Sequence, residues 1–220
     1  MAIAYVADTD QAPATGSSFT YTSFAVSGTN PVIIVLIALD AATEVVNSVA
    51  VSAGLSAGTP VEVKALRSSS GLSKTYVSIW AIPAPTGTGT ITVTLSGSVP
   101  YQSNAILLSG ADQTTPCPTG DAVTATGATN PLSVTPTNLT ANDAAVGAGA
   151  NAEDGDAPSW DQTSTFNNNT TAVNMAGGYH LGTGAVSCTW GIAAGTDVII
   201  GVRVVDAGGG GDTLFAQAIM

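Results

Sequence analysis

The chain has 220 residues, of which 45% are hydrophobic and only 9% are charged, and its 25 glycines and 11 prolines favour many short strands joined by turns. Four basic residues against fifteen acidic ones give a net charge of −11, which repels nucleic-acid phosphates and offers no basic cluster to an anionic membrane. We therefore expect no nucleic-acid partner and no membrane attachment. A chain of this length buries roughly 70% of its unfolded surface, so it needs no disulfide or metal for stability.

The amino-terminal segment MAIAYVADTD contains no basic residue, and its apolar stretch is too short for a signal peptide. The apolar run at 31–39 is also too short to cross a bilayer as a helix. These features predict synthesis in a host cytoplasm without export. A weakly charged surface rich in Thr, Ser, Asn and Gly is typical of extracellular and virion surfaces, so we expect the protein on the surface of a virion.

Segments with strand patterns follow one another along the whole chain and predict about twelve short strands. No alternation of strands with helices is present, which argues against an α/β fold. The sequence predicts an all-β fold, a two-sheet antiparallel sandwich of the jelly-roll type. One domain would cover 1–206, followed by a Gly-rich hinge and an apolar tail at 207–220. The expected strands span 18–26, 31–40, 45–54, 59–67, 74–85, 89–99, 101–110, 132–140, 144–153, 170–181, 184–192 and 196–206.

Two of these strands illustrate two kinds of burial. Ile91, Val93 and Leu95 alternate with threonines, which indicates one buried face and one face in water. The residues at 106–108 are all large and aliphatic, which suits a strand buried on both faces. The prolines within 111–120 cannot donate to a ladder, so we expect this strand to run into a stiff crossover between sheets.

Neither cysteine nor the single histidine indicates a catalytic or metal centre. Cys117 and Cys188 match no zinc-ligand spacing, and Cys188 falls on the apolar face of a strand, where a buried thiol is expected. A disulfide between Cys117 and Cys188 is the alternative to two thiols, although synthesis in a reducing compartment argues against it. His180 is the only histidine, and no G-x-S-x-G nucleophile motif accompanies it. We predict that the protein is not an enzyme, since a hydrolase would need His180 beside a carboxylate in one pocket.

An acidic loop at 151–162 is the one place where the sequence suggests a cofactor. Glu153, Asp154, Asp156 and Asp161 lie close together there, and calcium takes several oxygen ligands of this kind. The spacing does not match an EF-hand, so a solvated loop is the simpler interpretation and a Ca²⁺ site is the alternative.

Trp160 lies in the same loop and is the tryptophan that could be presented to a ligand. Carbohydrates stack their apolar faces on exposed aromatic rings. Trp80 and Trp190 lie in apolar strands and are expected in the core. Trp160 is therefore the candidate glycan contact, with a local hydrophobic plug as the alternative.

The tail that follows the glycine run contains four large apolar residues. Burying these side chains does not by itself offset the entropy lost in ordering the segment, so pairing with the backbone of a strand is required. We expect the tail to act as an assembly arm on another subunit, and docking on its own domain is the alternative. The tail residues are Leu214, Phe215, Ile219 and Met220.

Several segments together resemble a family of β-sandwich domains found in phage structural proteins and bacterial surface proteins, as in capsid decoration (cement) proteins and tail-fibre modules. The firmest are WAIPAPTGTGTITVTLSG and LLSGADQTTP, supported by VIIVLIALD, VVNSVAV and DVIIGVRVV. They are scaffold motifs, so the resemblance implies a jelly-roll-like fold and a virion role without supplying a catalytic residue.

The resemblance and the composition predict a non-enzymatic cement protein that stabilises a phage head. We expect a homo-oligomer, a trimer, that contacts the major capsid protein or another virion protein. The alternative is a receptor- or carbohydrate-binding module of a tail fibre or surface adhesin, which would use Trp160 and the loop at 151–169.

Overall fold

The computed structural model describes residues 1–68, 74–127, 130–151, 158–168, 173–191 and 197–208, and confirms an all-β antiparallel sandwich. It contains fifteen strands rather than about twelve, together with one short 3₁₀ turn, Thr119–Asp121. No helix of the described ranges is long and apolar enough to span a membrane. The strands are β1 (Ala4–Ala25), β2 (Val32–Asp40), β3 (Val46–Ser52), β4 (Leu55–Ser56), β5 (Val61–Arg67), β6 (Thr75–Pro83), β7 (Thr86–Ser109), β8 (Val123–Thr126), β9 (Leu132–Val134), β10 (Ala144–Asn151), β11 (Ser159–Trp160), β12 (Thr163–Asn168), β13 (Asn174–Leu181), β14 (Val186–Thr189) and β15 (Val198–Val204).

The strands form three sheets rather than the two expected, because the second half of the chain divides its strands between two sheets. The seven-stranded sheet runs β1-β7-β2-β6-β5, with β3 and β4 also paired to β7. The five-stranded sheet runs β12-β13-β10-β15-β8, and the three-stranded sheet runs β11-β14-β9. In the described part of the chain, β1 to β7 therefore pair only with one another, and so do β8 to β15.

Three apolar cores lie between the layers. The central core joins the seven-stranded and five-stranded sheets through alternate residues of β2, β6, β10 and β15. A second core lies on the other face of the seven-stranded sheet, where the first half of β7 packs over the second half of the same strand. A third core lies between the five-stranded and three-stranded sheets. The sandwich is thus a stack of four β layers.

This layering explains why β2 is continuously apolar. Its even-numbered residues, such as Ile34, point into the central core, and its odd-numbered residues, such as Val35, point into the second core. The same holds for Ile106 and Leu107, which confirms that the strand at 106–108 is buried on both faces.

β7 is longer than the sequence predicts because Pro100 lies within it. A proline cannot donate to a ladder, so 89–99 and 101–110 were expected to be separate strands. β7 pairs with β3 up to Leu95 and with β2 from Tyr101 onward, while β1 continues along its other edge. Pro100 therefore lies where β7 changes partners on one edge, and the strand continues without a hydrogen bond from that residue.

β10 has small residues on the face that meets the three-stranded sheet. Gly147 and Gly149 lie beneath the large side chains of Trp160 and Trp190, and a Cβ built at Gly149 would be 2.9 Å from the Cβ of Cys188. The glycines therefore allow two tryptophans to pack against the centre of the five-stranded sheet.

An ion-pair network fixes the end of β15. The Arg203 guanidinium donates to Asp143 Oδ2 at 2.9 Å and to Asp121 Oδ2 at 3.0 Å, and the Asp206 N–H donates to Asp143 Oδ1 at 3.0 Å. Burial acts to raise the pKa of Asp143, but hydrogen bonds from Asp206, Thr140 and Arg203 outweigh it and hold that pKa below its usual value. The network sets the direction in which the chain leaves β15.

Candidate interaction surface

The β5 edge is an exposed end of the seven-stranded sheet. Among the described residues β5 pairs with β6 alone, so its outer backbone groups face away from the sheet. Val61, at the start of the strand, is 46% exposed and is one of few large apolar residues in the described ranges with that exposure. A free strand edge with exposed apolar surface is a template for pairing with another segment.

Beside the start of β5 lies an apolar groove, which we call the β5 groove. Its volume is about 240 Å³, and its floor comes from Val61, Ala81 and Pro83 of β5 and β6. Its other wall is the loop after β7, which contributes Thr114, Thr115, Pro116, Cys117 and Thr119. An apolar cavity of about 150 Å³ holds a benzene ring, so the groove has room for an aromatic or large aliphatic side chain.

The loop wall is held in place by its own hydrogen bonds. The Asp112 carboxylate accepts from the N–H groups of Thr114 at 2.9 Å and Thr115 at 2.7 Å. The Pro116 carbonyl accepts from the Val205 N–H at 2.8 Å, and Asp112 N–H donates to the Val205 carbonyl at 2.9 Å. The crossover expected after the buried strand is therefore present, and it forms a preorganised side of the groove.

Cys117 and Cys188 are both buried, and no disulfide joins them. Cys117 lines the β5 groove, and burial raises the pKa of its thiol. Cys188 lies in the third core together with Val186 and Trp190, which confirms the buried strand face expected there. The Cys117 thiol therefore lacks the lowered pKa of a reactive cysteine.

A second, polar surface lies at the opposite edge of the sandwich, on β1. The ring of Tyr5, 38% exposed, stacks on Tyr179 of β13 with centroids 5.1 Å apart and planes 11° apart. Asp8 accepts a hydrogen bond from the Tyr5 hydroxyl. The buried amide of Asn104 donates to Asp8 Oδ2 at 3.2 Å and to Asp10 Oδ1 at 2.5 Å, which brings the two carboxylates together.

The pKa values of this surface reflect its partial burial. Burial, followed by the hydrogen bond with Asp8, raises the pKa of Tyr5 to about 12. Burial also raises the pKa of Asp10, against the opposing effect of the Asn104 amide. This surface was not predicted from the sequence, because Asn104 and Tyr179 are far from β1 along the chain. The spacing of Asp8 and Asp10 at alternate positions was the one available signal.

Trp160, the expected glycan contact, is buried. Only 5% of the residue is exposed, and its ring packs in the third core over Gly147. The expectation of an exposed ring is therefore wrong, because β11 pairs with β14 and turns the side chain inward. Trp160 instead fills a local apolar core, which is the alternative given for it in the sequence.

Of the four acidic residues expected near a cation, only Asp161 lies within the described residues. Its carboxylate accepts hydrogen bonds from the hydroxyls of Ser187 at 2.8 Å and Thr189 at 2.9 Å. No group of three or more His, Cys, Asp or Glu side chains in the described ranges is arranged to hold a metal. Glu153, Asp154 and Asp156 lie outside those ranges, so the Ca²⁺ site stays a prediction.

The tail residues Leu214, Phe215, Ile219 and Met220 also lie outside the described residues, so their role as an assembly arm stays a prediction. His180 lies near the end of β13, as expected for a histidine at a strand end.

No family model, no curated protein and no solved structure matches the chain.

Proposed function

We propose that the chain is a non-enzymatic structural protein of a bacteriophage virion, a capsid decoration protein that stabilises the head through contacts with other subunits and with the shell. The observation that carries the proposal is the free β5 edge beside the preformed β5 groove. An extended segment that adds to such an edge gains main-chain hydrogen bonds, and a neighbouring pocket selects its side chains.

The stacked layers also suit a structural role. Three apolar cores in one antiparallel stack give a rigid body on which an exposed edge keeps its shape. A protein that binds only the assembled shell stabilises it by mass action, so its effect grows with its concentration relative to Kd. The resemblance to phage β-sandwich domains adds support from the sequence.

The β5 edge can be tested with two variants that add the same charge at similarly exposed apolar positions. Val61 is 46% exposed beside the groove, and Leu181 is 47% exposed at the end of β13. Wild-type protein and Leu181→Asp should co-sediment with purified phage particles that lack the protein, while Val61→Asp should lose at least about tenfold in affinity, or 1.4 kcal/mol. Failure of the wild type to bind would contradict the decoration role, and equal binding by all three would exclude the β5 edge.

The proposed trimer has a separate test. Light scattering should give three times the chain mass for the wild type, and a chain that ends at Asp206 should lose that mass if the tail is the assembly arm. A wild type that is monomeric at every concentration, both in solution and when released from particles, would exclude the trimer.

A second candidate function is glycan binding at the β1 surface. The exposed Tyr5 ring and the carboxylates of Asp8 and Asp10 supply a stacking face and acceptors for sugar hydroxyls. Screening bacterial envelope glycans should then give a binder that Tyr5→Ala abolishes and the buried-ring variant Trp160→Phe leaves unchanged. A screen without a binder, or binding insensitive to Tyr5→Ala, would remove this candidate.

A further inference from the structure

We propose that the strand that completes the β5 edge is the chain's own segment 212–220, with its apolar side chains in the β5 groove. The inference rests on the proposed function in treating the β5 edge as a docking surface, and it names the occupant of that surface.

The described chain passes the groove wall at Val205 and ends at Gly208, beside Met1. The Val205 N–H donates to the carbonyl of Pro116 at 2.8 Å, and Pro116 is part of the groove wall. The Ala207 N–H donates to Gly110 at the other end of the same loop, at 2.7 Å. Three residues span at most about 10 Å, so the chain at Gly208 is within about 10 Å of Val205.

The connecting residues are suited to this path. The run at 208–211 consists of glycine alone, which permits the turn needed to bring the chain back across the loop. Each further residue adds about 3.3 Å, so 209–211 extend the reach by about 10 Å. The segment 212–220 therefore begins within reach of the groove and of the outer edge of β5.

The chemistry of the segment matches what the surface offers. As a strand, 212–220 would place Leu214, Ala216, Ala218 and Met220 on one face, which is apolar from Leu214 onward and begins with Asp212. The groove supplies apolar walls for that face, and the free β5 edge supplies backbone partners. Both are needed, because apolar burial alone does not offset the cost of ordering the segment.

The short reach from Gly208 assigns the segment to its own chain, where the pairing covers the β5 edge in the free protein. Exchange of an identical element between copies is a low-cost route to an oligomer. Protection of β5 that rises with protein concentration would show that the segment comes from a neighbouring copy, and would contradict docking on its own chain.

The first test measures amide hydrogen exchange of the peptide that contains β5, by mass spectrometry. We compare the full chain with a chain that ends at Gly208, which keeps every described strand. The full chain should exchange β5 amides at least about tenfold more slowly, while exchange in β10 should be the same in both. Equal exchange of β5 in the two chains would overturn the proposal.

Two point variants separate docking from a general effect of the tail. Leu214→Asp places a charge on the apolar face and should raise β5 exchange to the rate of the shortened chain. Gln217→Asp adds the same charge on the other face and should leave the protection unchanged. Loss of protection with Gln217→Asp, or none with Leu214→Asp, would contradict the proposed face.

Thiol labelling gives an independent measurement in the groove. Cys117 should react with a maleimide at least about tenfold faster in the shortened chain, with Cys188 in the third core as the internal reference. These measurements need no phage particles. If the full chain shows slow exchange and slow labelling but does not bind particles, the docking is supported and the proposed function is contradicted. If the full chain binds particles but its exchange and labelling match those of the shortened chain, the proposed function is supported and the docking is contradicted.

Discussion

Replacing Gly147 by alanine is a direct test of how the outer layers pack. A Cβ at this position would lie 2.6 Å from the Ile200 carbonyl oxygen, 2.8 Å from Trp160 Cη2 and 3.0 Å from Val186 Cγ2. The carbonyl belongs to the neighbouring strand β15, so relief requires movement of a sheet backbone as well as of two side chains. The added methyl group therefore disturbs the five-stranded and three-stranded sheets together.

The size of the effect follows from two opposing contributions. Adding a methyl group to a filled core costs about 1–3 kcal/mol, and alanine lowers the entropy of the unfolded chain, which returns about 0.4–1 kcal/mol. We expect a net loss of about 1–2 kcal/mol in the free energy of unfolding. For a chain of this length that corresponds to a fall in Tm of about 2–8 °C.

Urea unfolding followed by tryptophan fluorescence measures this loss. Gly120→Ala is the matched control, because a Cβ at Gly120 meets no atom within 4 Å and the unfolded-state gain remains. The control should be as stable as the wild type or slightly more stable. If Gly147→Ala were as stable as Gly120→Ala, the close packing of Trp160 over β10 would be wrong.

Three further predictions concern charge, tyrosine ionisation and the buried ring. Arg203→Met leaves the buried carboxylate of Asp143 without its cation and should cost about 3–5 kcal/mol in urea unfolding. The pKa of Asp143 lies below its usual value in the folded chain, so the ionised carboxylate stabilises the fold above about pH 3.9. This stabilisation is lost as the pH falls through the lower pKa of the folded state. Tm should therefore fall over that pH range, and it should fall less steeply in Arg203→Met. Burial raises the pKa of Tyr5 and of Tyr76 to about 12 in each case, so absorbance at 295 nm should show both ionising near pH 12, and stability should decline as the pH rises from about 10 to 12. Trp160→Ala should cost about 3–5 kcal/mol in unfolding free energy, whereas a solvent-exposed ring would change stability little.

The periodicity of the sequence was sufficient to predict the fold class and much of the core. The continuous apolar run at 106–108 correctly indicated a strand buried on both faces. The alternation of Ile91, Val93 and Leu95 with threonines correctly indicated one buried face in β7. These features depend on which side chains avoid water along one strand, and that information is local.

Features that depend on two distant segments were not predictable in this way. β1 begins at Ala4 rather than near residue 18, because β7 is long enough to pair with its polar first half. Trp160 was expected at the surface because its neighbours are polar and acidic. Pairing of β11 with β14 instead directs its side chain into the third core, where the absence of a Cβ at Gly147 leaves room for the ring.

The sequence by itself determined that the chain is an acidic all-β protein with strands buried on one or both faces, since strand periodicity and charge are properties of short segments. Only the tertiary structure decided that the layers stack four deep, that Asn104 brings Asp8 and Asp10 together, and that the loop after β7 forms a groove beside Val61. The physical reason is that these arrangements depend on which distant strands pair and in which register. Register is set by the fit of whole layers rather than by the residues of any one strand.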